Sequence, residues 1–284
     1  MGKIRFGQVD YLNTLPVFHA LEDGLLPFDG ELIKGPPTML NKMFMEDQLE
    51  VASISSVEYA RNIDKCIILP NLSVSADGPV QSILLFSRAP IVELEGRKIC
   101  LTSSSATSVA LLKVLFQHYY HLEVEYVTQK PDLDSMMAEG DGALLIGDDA
   151  MRAHLRVKQE KLAYHVTDLG EAWKQFTGER MVYALWVIRK EFAKENPEVV
   201  NNLCHQLVEA KKLADQSLSA VLEKGRRRSG LPMEILEEYF NTINNAFAED
   251  HRRALLTFYD YCYKSGLIEE RVRLAIWGEE NVAG

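Results

Sequence analysis

Short apolar runs alternate with helical patterns through the first two thirds of the chain. Residues 4–9 read as a strand, residues 16–22 as a short helix stopped near Gly24, and Leu32-Ile33-Lys34 as a second strand. Pro37 opens an amphipathic helix carrying Met39, Leu40, Met43 and Phe44 on one face. Residues 51–54 form a strand running into Ser55-Ser56, and Val57 begins the next helix. This β-α-β-α-β order predicts a mostly parallel sheet. After a broken region at residues 67–70 comes a long strand, 80–87, and then the pattern restarts. Residues 98–101 are a strand, Ser103 to Ser108 a polar turn, and residues 109–120 a helix with Ala110, Leu111, Val114 and Leu115 on one face. Strands at 124–127 and 142–146 follow, the second ending on Gly147-Asp148-Asp149. Met181–Arg189 is one more long apolar strand.

Beyond it the pattern turns helical. Asn196-Pro197-Glu198 supplies a cap, a proline at the first helical position and an acid in the first turn. Val200, Leu203, Leu207, Ala214, Leu218 and Val221 follow at helical spacing, closed by Gly225. A further helix starts near Pro232, and another carries Leu255, Phe258, Tyr259 and Cys262.

The expected organisation is α/β, with two similar units joined by the strands 80–87 and 181–189. Residues 1–87 with 189–284 make the first lobe, and residues 88–188 the second. Two crossings make a hinge between lobes, and the cleft between lobes is a favoured place for a small ligand.

Composition narrows the ligand. The 284 residues are 47% hydrophobic and 25% charged, ordinary for a soluble globular protein, with a net charge of -10. That balance argues against a general nucleic-acid or anionic-membrane binder, which needs a field of Lys and Arg. A small anion needs only a local cluster of donors. No apolar run reaches the roughly 18 residues that span a bilayer. Cys66, Cys100, Cys204 and Cys262 form no C-x-x-C pair and read as reduced thiols. With a strand starting so near Met1 there is no room for a leader, and the expected location is the cytoplasm.

The candidate chemistry lies at strand ends. Tyr11 and Asn13 follow the first strand, where open α/β sheets collect ligands. Three strand-to-helix junctions are rich in small donors: Ser53 to Ser56, Ser103 to Ser108 with Thr107, and Gly147-Asp148. Each serves either as an ordinary N-cap or as an anion site of backbone N–H and hydroxyl groups. If all three face one cleft, they suit a ligand with more than one acidic group. The seven histidines read as surface residues, and His118 with His121 lacks further ligands at metal spacing. No nucleotide, metal or hydrolase motif occurs, so neither metal nor cofactor is expected. Arg226-Arg227-Arg228 reads as a solvated run between helices. None of the cleft motifs holds a His, Cys or Lys poised as base or nucleophile. The residues alone indicate a binding protein, or a reaction that needs little beyond positioning.

Taken in series, Tyr11-Leu12-Asn13 with Pro16, Ser55-Ser56-Val57-Glu58-Tyr59, Gly78-Pro79-Val80-Gln81-Ser82, Ser105-Ala106-Thr107-Ser108, Ile146-Gly147-Asp148, Asp168-Leu169-Gly170-Glu171-Ala172-Trp173, Thr177-Gly178 and Ala184-Leu185-Trp186 resemble the chorismate dehydratases of the futalosine route to menaquinone. The resemblance runs from about residue 3 to 265. It implies a type II periplasmic-binding-protein fold used as a cytoplasmic lyase, which converts chorismate to 3-[(1-carboxyvinyl)oxy]benzoate. By position it implies that Asn13 and Ser82 lie at the reacting ring and that Ser55, Ser56, Thr107 and Ser108 contact the ligand. A related family, the 1,4-dihydroxy-6-naphthoate synthases, resembles the chain less: it has a Cys-Pro-Asn-Asp type stretch near the start and a histidine with no counterpart in Ile146-Gly147-Asp148. A non-catalytic solute-binding protein is the other alternative.

Overall fold

The computed structural model describes residues 4–279. Its eleven strands are β1 (Ile4–Val9), β2 (Gly30–Gly35), β3 (Val51–Ser55), β4 (Cys66–Ala76), β5 (Ile83–Ser87), β6 (Lys98–Thr102), β7 (Glu125–Gln129), β8 (Gly142–Ile146), β9 (His165–Asp168), β10 (Met181–Arg189) and β11 (Asn244–Phe247). They form two sheets, ordered β11-β4-β10-β3-β1-β2 and β7-β6-β8-β5-β9.

Each sheet repeats one plan. β1 lies parallel between β2 and β3, and β6 lies parallel between β7 and β8. An antiparallel strand then closes each unit, β10 against β3 and β5 against β8. In both units the chain order reverses beside the central strand. The carboxyl ends of the strands flanking such a switch point leave a crevice for ligands. All of β3, β5 and β8 is buried. Helices cover the faces, so these strands carry unbroken apolar runs rather than alternation.

The crossings lie earlier than the sequence suggests. Residues 83–87, expected in the first lobe, pair only within the second sheet, and Met181–Arg189 pairs with β3 and β4 of the first. The chain therefore crosses at residues 77–82 and again between β9 and β10. Val80 and Gln81 do not extend β5, because Gln81 adopts a left-handed φ of 63° and both backbone N–H groups bond Asp168. The region expected to be broken, residues 67–70, belongs to the long strand β4. Pro70 is accommodated where the β4–β10 register shifts, next to Asn71 at φ 68°, since a bulge needs no ladder donor there.

Two local expectations also change. The helix Ala106–Leu115 begins earlier than expected and widens at Phe116–Tyr120, ending at left-handed His121. Gly225 closes no helix. It lies inside Leu218–Ser229, where a side chain would approach Leu12 and Phe240. Arg226, Arg227 and Arg228 form the last turn of that helix. Arg228 reaches Glu22, which also takes Lys34, Lys224 and the Gln8 amide. These partners hold the Glu22 carboxyl far below its usual range despite its burial. Arg228 and Lys224 thus pin helix Leu218–Ser229 onto helix Leu15–Glu22, while Arg226 and Arg227 pair with Glu223 of their own helix.

Candidate functional site

Four parallel strands deliver their carboxyl ends to one cavity between the lobes. β1 brings Tyr11 and Asn13, β3 brings Ser55, β6 leads to Ser105 and Ser108, and β8 ends at Gly147; the first crossing adds Ser82, and β10 adds Tyr183 and Ala184. Val9, Ile54, Val74, Ile83 and Ile146 supply apolar walls. Among the lining residues the only ionisable side chains are the phenols of Tyr11 and Tyr183. Burial is the main cause raising both above their usual value, so each stays protonated and able to donate.

The turn after β1 is built to present Asn13. Thr14 Oγ1 donates to the carbonyls of Val9 (2.8 Å) and Tyr11 (3.2 Å), winding Leu12–Thr14 into a tight turn. The buried Asn245 amide donates to the Asn13 carbonyl at 3.2 Å and to Ser73 at 3.2 Å. The Asn13 Oδ1 atom is buried and unpartnered. A buried polar atom without a partner is costly, and Asn13 is part of the cavity wall.

Ser82 is fixed from three sides. Its carbonyl accepts Gly147 N–H at 2.7 Å, its Oγ accepts the Tyr239 phenol at 3.1 Å, and the turn before it hangs on Asp168. The Asp168 carboxylate collects backbone N–H groups from Val80, Gln81, Gly170 and Glu171 at 2.7–3.1 Å. It caps helix Leu169–Thr177 and clamps the first crossing at once. Gly147 has φ 58°, and a Cβ there would stand 2.9 Å from the Tyr11 ring. The left-handed turn and the ring contact both call for glycine.

Of the residues expected at the site, Tyr11, Asn13, Ser55, Ser82, Ser108 and Gly147 line the cavity. Ser56, Thr107 and Asp148 do not. Ser56 Oγ lies 3.3 Å from Thr107 Oγ1 and donates to the Val182 carbonyl, while Thr107 Oγ1 also accepts Val57 N–H. Asp148 Oδ1 accepts Leu12 N–H at 3.1 Å. All three join one lobe to the other. Ser105 caps its helix through Ser108 N–H and donates to Ser108 Oγ at 3.0 Å. At this junction the cap and the cavity wall are the same residues.

Tyr183, Tyr239, Asp168 and Asn245 carried no signal for a site in the sequence, apart from the place of Asp168 in the Asp168 to Trp173 motif. The expectation that histidines lie at the surface fails for His19 and His251, both 4% exposed. His251 is held by Asp250 and the Ala248 N–H near the β11 turn, and no histidine lines the cavity. Among the described residues no cluster of three or more His, Cys, Asp or Glu is placed to hold a metal ion, and no helix is long and apolar enough to cross a membrane.

Similar proteins share this fold. A protein of Archaeoglobus fulgidus superposes with TM-score 0.78 at 22% identity, over 94% of this chain and 98% of its own. The periplasmic aliphatic sulphonate binding protein of Escherichia coli does so with TM-score 0.68 at 14% identity, over 97% and 92%. Both matches show the periplasmic-binding-protein fold. The 1,4-dihydroxy-6-naphthoate synthase of Thermus thermophilus is 23% identical, over 88% of this chain and 89% of its own. The chorismate dehydratase of the same organism is 30% identical over 260 residues, 87% of this chain and 91% of its own. Residues 4–264 match the family model described as menaquinone biosynthesis. The chain belongs to that menaquinone-biosynthesis family, and it is more similar to the family's chorismate dehydratase than to its naphthoate synthase.

Proposed function

We propose that the cavity takes chorismate and eliminates water from it, giving 3-[(1-carboxyvinyl)oxy]benzoate, in the cytoplasm and without metal or cofactor. One observation carries this reading: the cavity wall offers hydroxyl, amide and phenol groups but no His, Lys, Cys or carboxylate. Such a wall fits a reaction whose driving force lies in the substrate. Loss of the ring hydroxyl and the proton on the neighbouring carbon aromatises the ring. The C–O bond breaks toward the hydroxyl, the C–H electron pair enters the ring, and the proton and hydroxide leave as water.

In this reading Asn13 hydrogen-bonds the leaving hydroxyl, and Ser82 donates to a substrate carboxylate. Ser82 is free to do so because its oxygen serves Tyr239 as acceptor and its own hydrogen meets only the Val80 carbonyl, at a long 3.4 Å. An amide takes no proton near neutral pH, so the base is the substrate's own enolpyruvyl carboxylate. Ser55 and Ser108 hold the carboxylates by hydroxyl donation. Incubating the protein with chorismate tests the proposal, with the aromatic product followed by absorbance and mass. Chorismate bound but recovered unchanged would favour the second reading, a non-catalytic binding protein, which the likeness to the sulphonate binding protein supports.

A further inference from the structure

We infer that the phenol of Tyr183 donates a hydrogen bond to an oxygen of the bound substrate; the inference rests on the dehydratase reading above. Consecutive residues of a strand face opposite sides of the sheet, yet Tyr183 and Ala184 both line the cavity. The β4–β10 pairing explains this. Val182 pairs with Ser75 and Ala184 with Val74, so Tyr183 is the extra residue of a bulge. A bulge re-aims a side chain, and bulges gather beside active sites.

The chain makes room for the hydroxyl and gives it nothing to bond. Gly170 stands next to it: a Cβ at Gly170 would lie 2.7 Å from the Tyr183 oxygen. The nearby Asp168 carboxylate is occupied by backbone N–H groups. The Tyr183 hydroxyl is buried and without a partner, as is Oδ1 of Asn13, another residue of the cavity wall. One is a donor, the other an acceptor. A ligand bearing both a hydroxyl and carboxylates satisfies the two together, and the proposed substrate does.

Tyr183→Phe deletes only the hydroxyl. Because that hydroxyl makes no bond within the chain, Tm is expected to stay level or rise. The catalytic efficiency, kcat/KM, for chorismate is expected to fall at least tenfold. Calorimetric affinity for 3-[(1-carboxyvinyl)oxy]benzoate is measured beside it. A parallel loss places the contact on an oxygen that the product keeps, whereas a loss of kcat/KM alone places it on the oxygen that departs as water. An active wild type with a variant within twofold of it in kcat/KM overturns the inference and leaves the dehydratase reading standing. So does a loss of activity matched by a lower Tm, since the hydroxyl would then be supporting the fold. A wild type that neither converts nor binds chorismate removes the reading itself and the inference with it.

Discussion

Tyr239 donates its phenol hydrogen to Ser82 Oγ at 3.1 Å, so a helix of the C-terminal part orients a side chain on the first crossing between lobes. Both groups are buried, and burial raises the Tyr239 phenol far above its usual range, keeping it a donor at any working pH. Tyr239→Phe leaves Ser82 free to rotate. We expect a stability cost of about 1 kcal/mol, the worth of one neutral hydrogen bond, and a fall in kcat/KM of roughly tenfold, about 1.4 kcal/mol in the barrier. Steady-state kinetics and melting curves check both. Unchanged kinetics would mean that Ser82 needs no orienting partner.

Asn13→Ala removes an amide whose Oδ1 has no partner in the chain, so the variant should fold with little change in Tm. Turnover should drop on the order of 100-fold, the scale of losing one transition-state hydrogen-bonding group. Asn13→Asp keeps the shape and an acceptor and should retain more activity than the alanine variant. Equal activity in wild type and alanine variant would remove Asn13 from the reacting centre.

The two α/β units were legible because period-2 and period-3.6 patterns are local properties of the chain. The ends of the parallel strands were legible too, which is why five of the nine expected site residues line the cavity; a sixth, Ser82 on the first crossing, was implied by the resemblance alone. The other three mark the limit of that reasoning. Ser56 and Thr107 have the composition of an anion site, but each hydroxyl finds the other across the lobes. Donor-rich junctions look alike whether a ligand or another junction meets them. The crossings were misplaced for a related reason: Val80 is apolar and reads as strand, and nothing nearby says that Asp168 takes its N–H. Tyr239 and Ser82 are 157 residues apart, and Asp168 and Val80 are 88 apart. Contacts at such separations follow from topology, and the bulge that turns Tyr183 inward exists only once β10 is paired.

Asp168 caps a helix and clamps the turn that carries Ser82. Asp168→Ala leaves several backbone donors without their acceptor and releases Gln81 from its left-handed conformation. We expect a loss of about 3 kcal/mol, since a lost cap costs up to ~2 kcal/mol and a hydrogen bond to a charged group ~1.5–3 kcal/mol, and the two overlap. The kcat should fall with stability, because Ser82 loses its support. Denaturant unfolding and turnover at a temperature where the variant is folded check both. A variant as stable as wild type would show that the turn holds itself.

Asp148 ties a titrating carboxyl to a contact between the lobes. Its carboxyl accepts Leu12 N–H across the lobes and is pushed up to about 6 from 3.8, burial being the largest cause. Asp149 and Asp10 push in the same direction, while the Leu12 N–H and Arg152 oppose them. A raised carboxyl binds its proton more readily in the folded chain than in the unfolded one. The stability it contributes is therefore complete below about 3.8 and lost as the pH rises through about 6. Asp148→Asn keeps an acceptor oxygen and abolishes the titration. Relative to that variant, wild type should lose on the order of 2–3 kcal/mol between pH 4 and pH 7. The same residue decides the mechanism, because it is the carboxyl beside the site that titrates in the working range. With the substrate's carboxylate as base, wild-type kcat should be nearly flat from about pH 5 to 8, and Asp148→Asn should keep kcat within an order of magnitude. If instead kcat rises with a midpoint near 6 and the asparagine variant loses both the rise and the activity, Asp148 takes the ring proton. The substrate-assisted step would then be wrong, and the latch between the lobes would be the base.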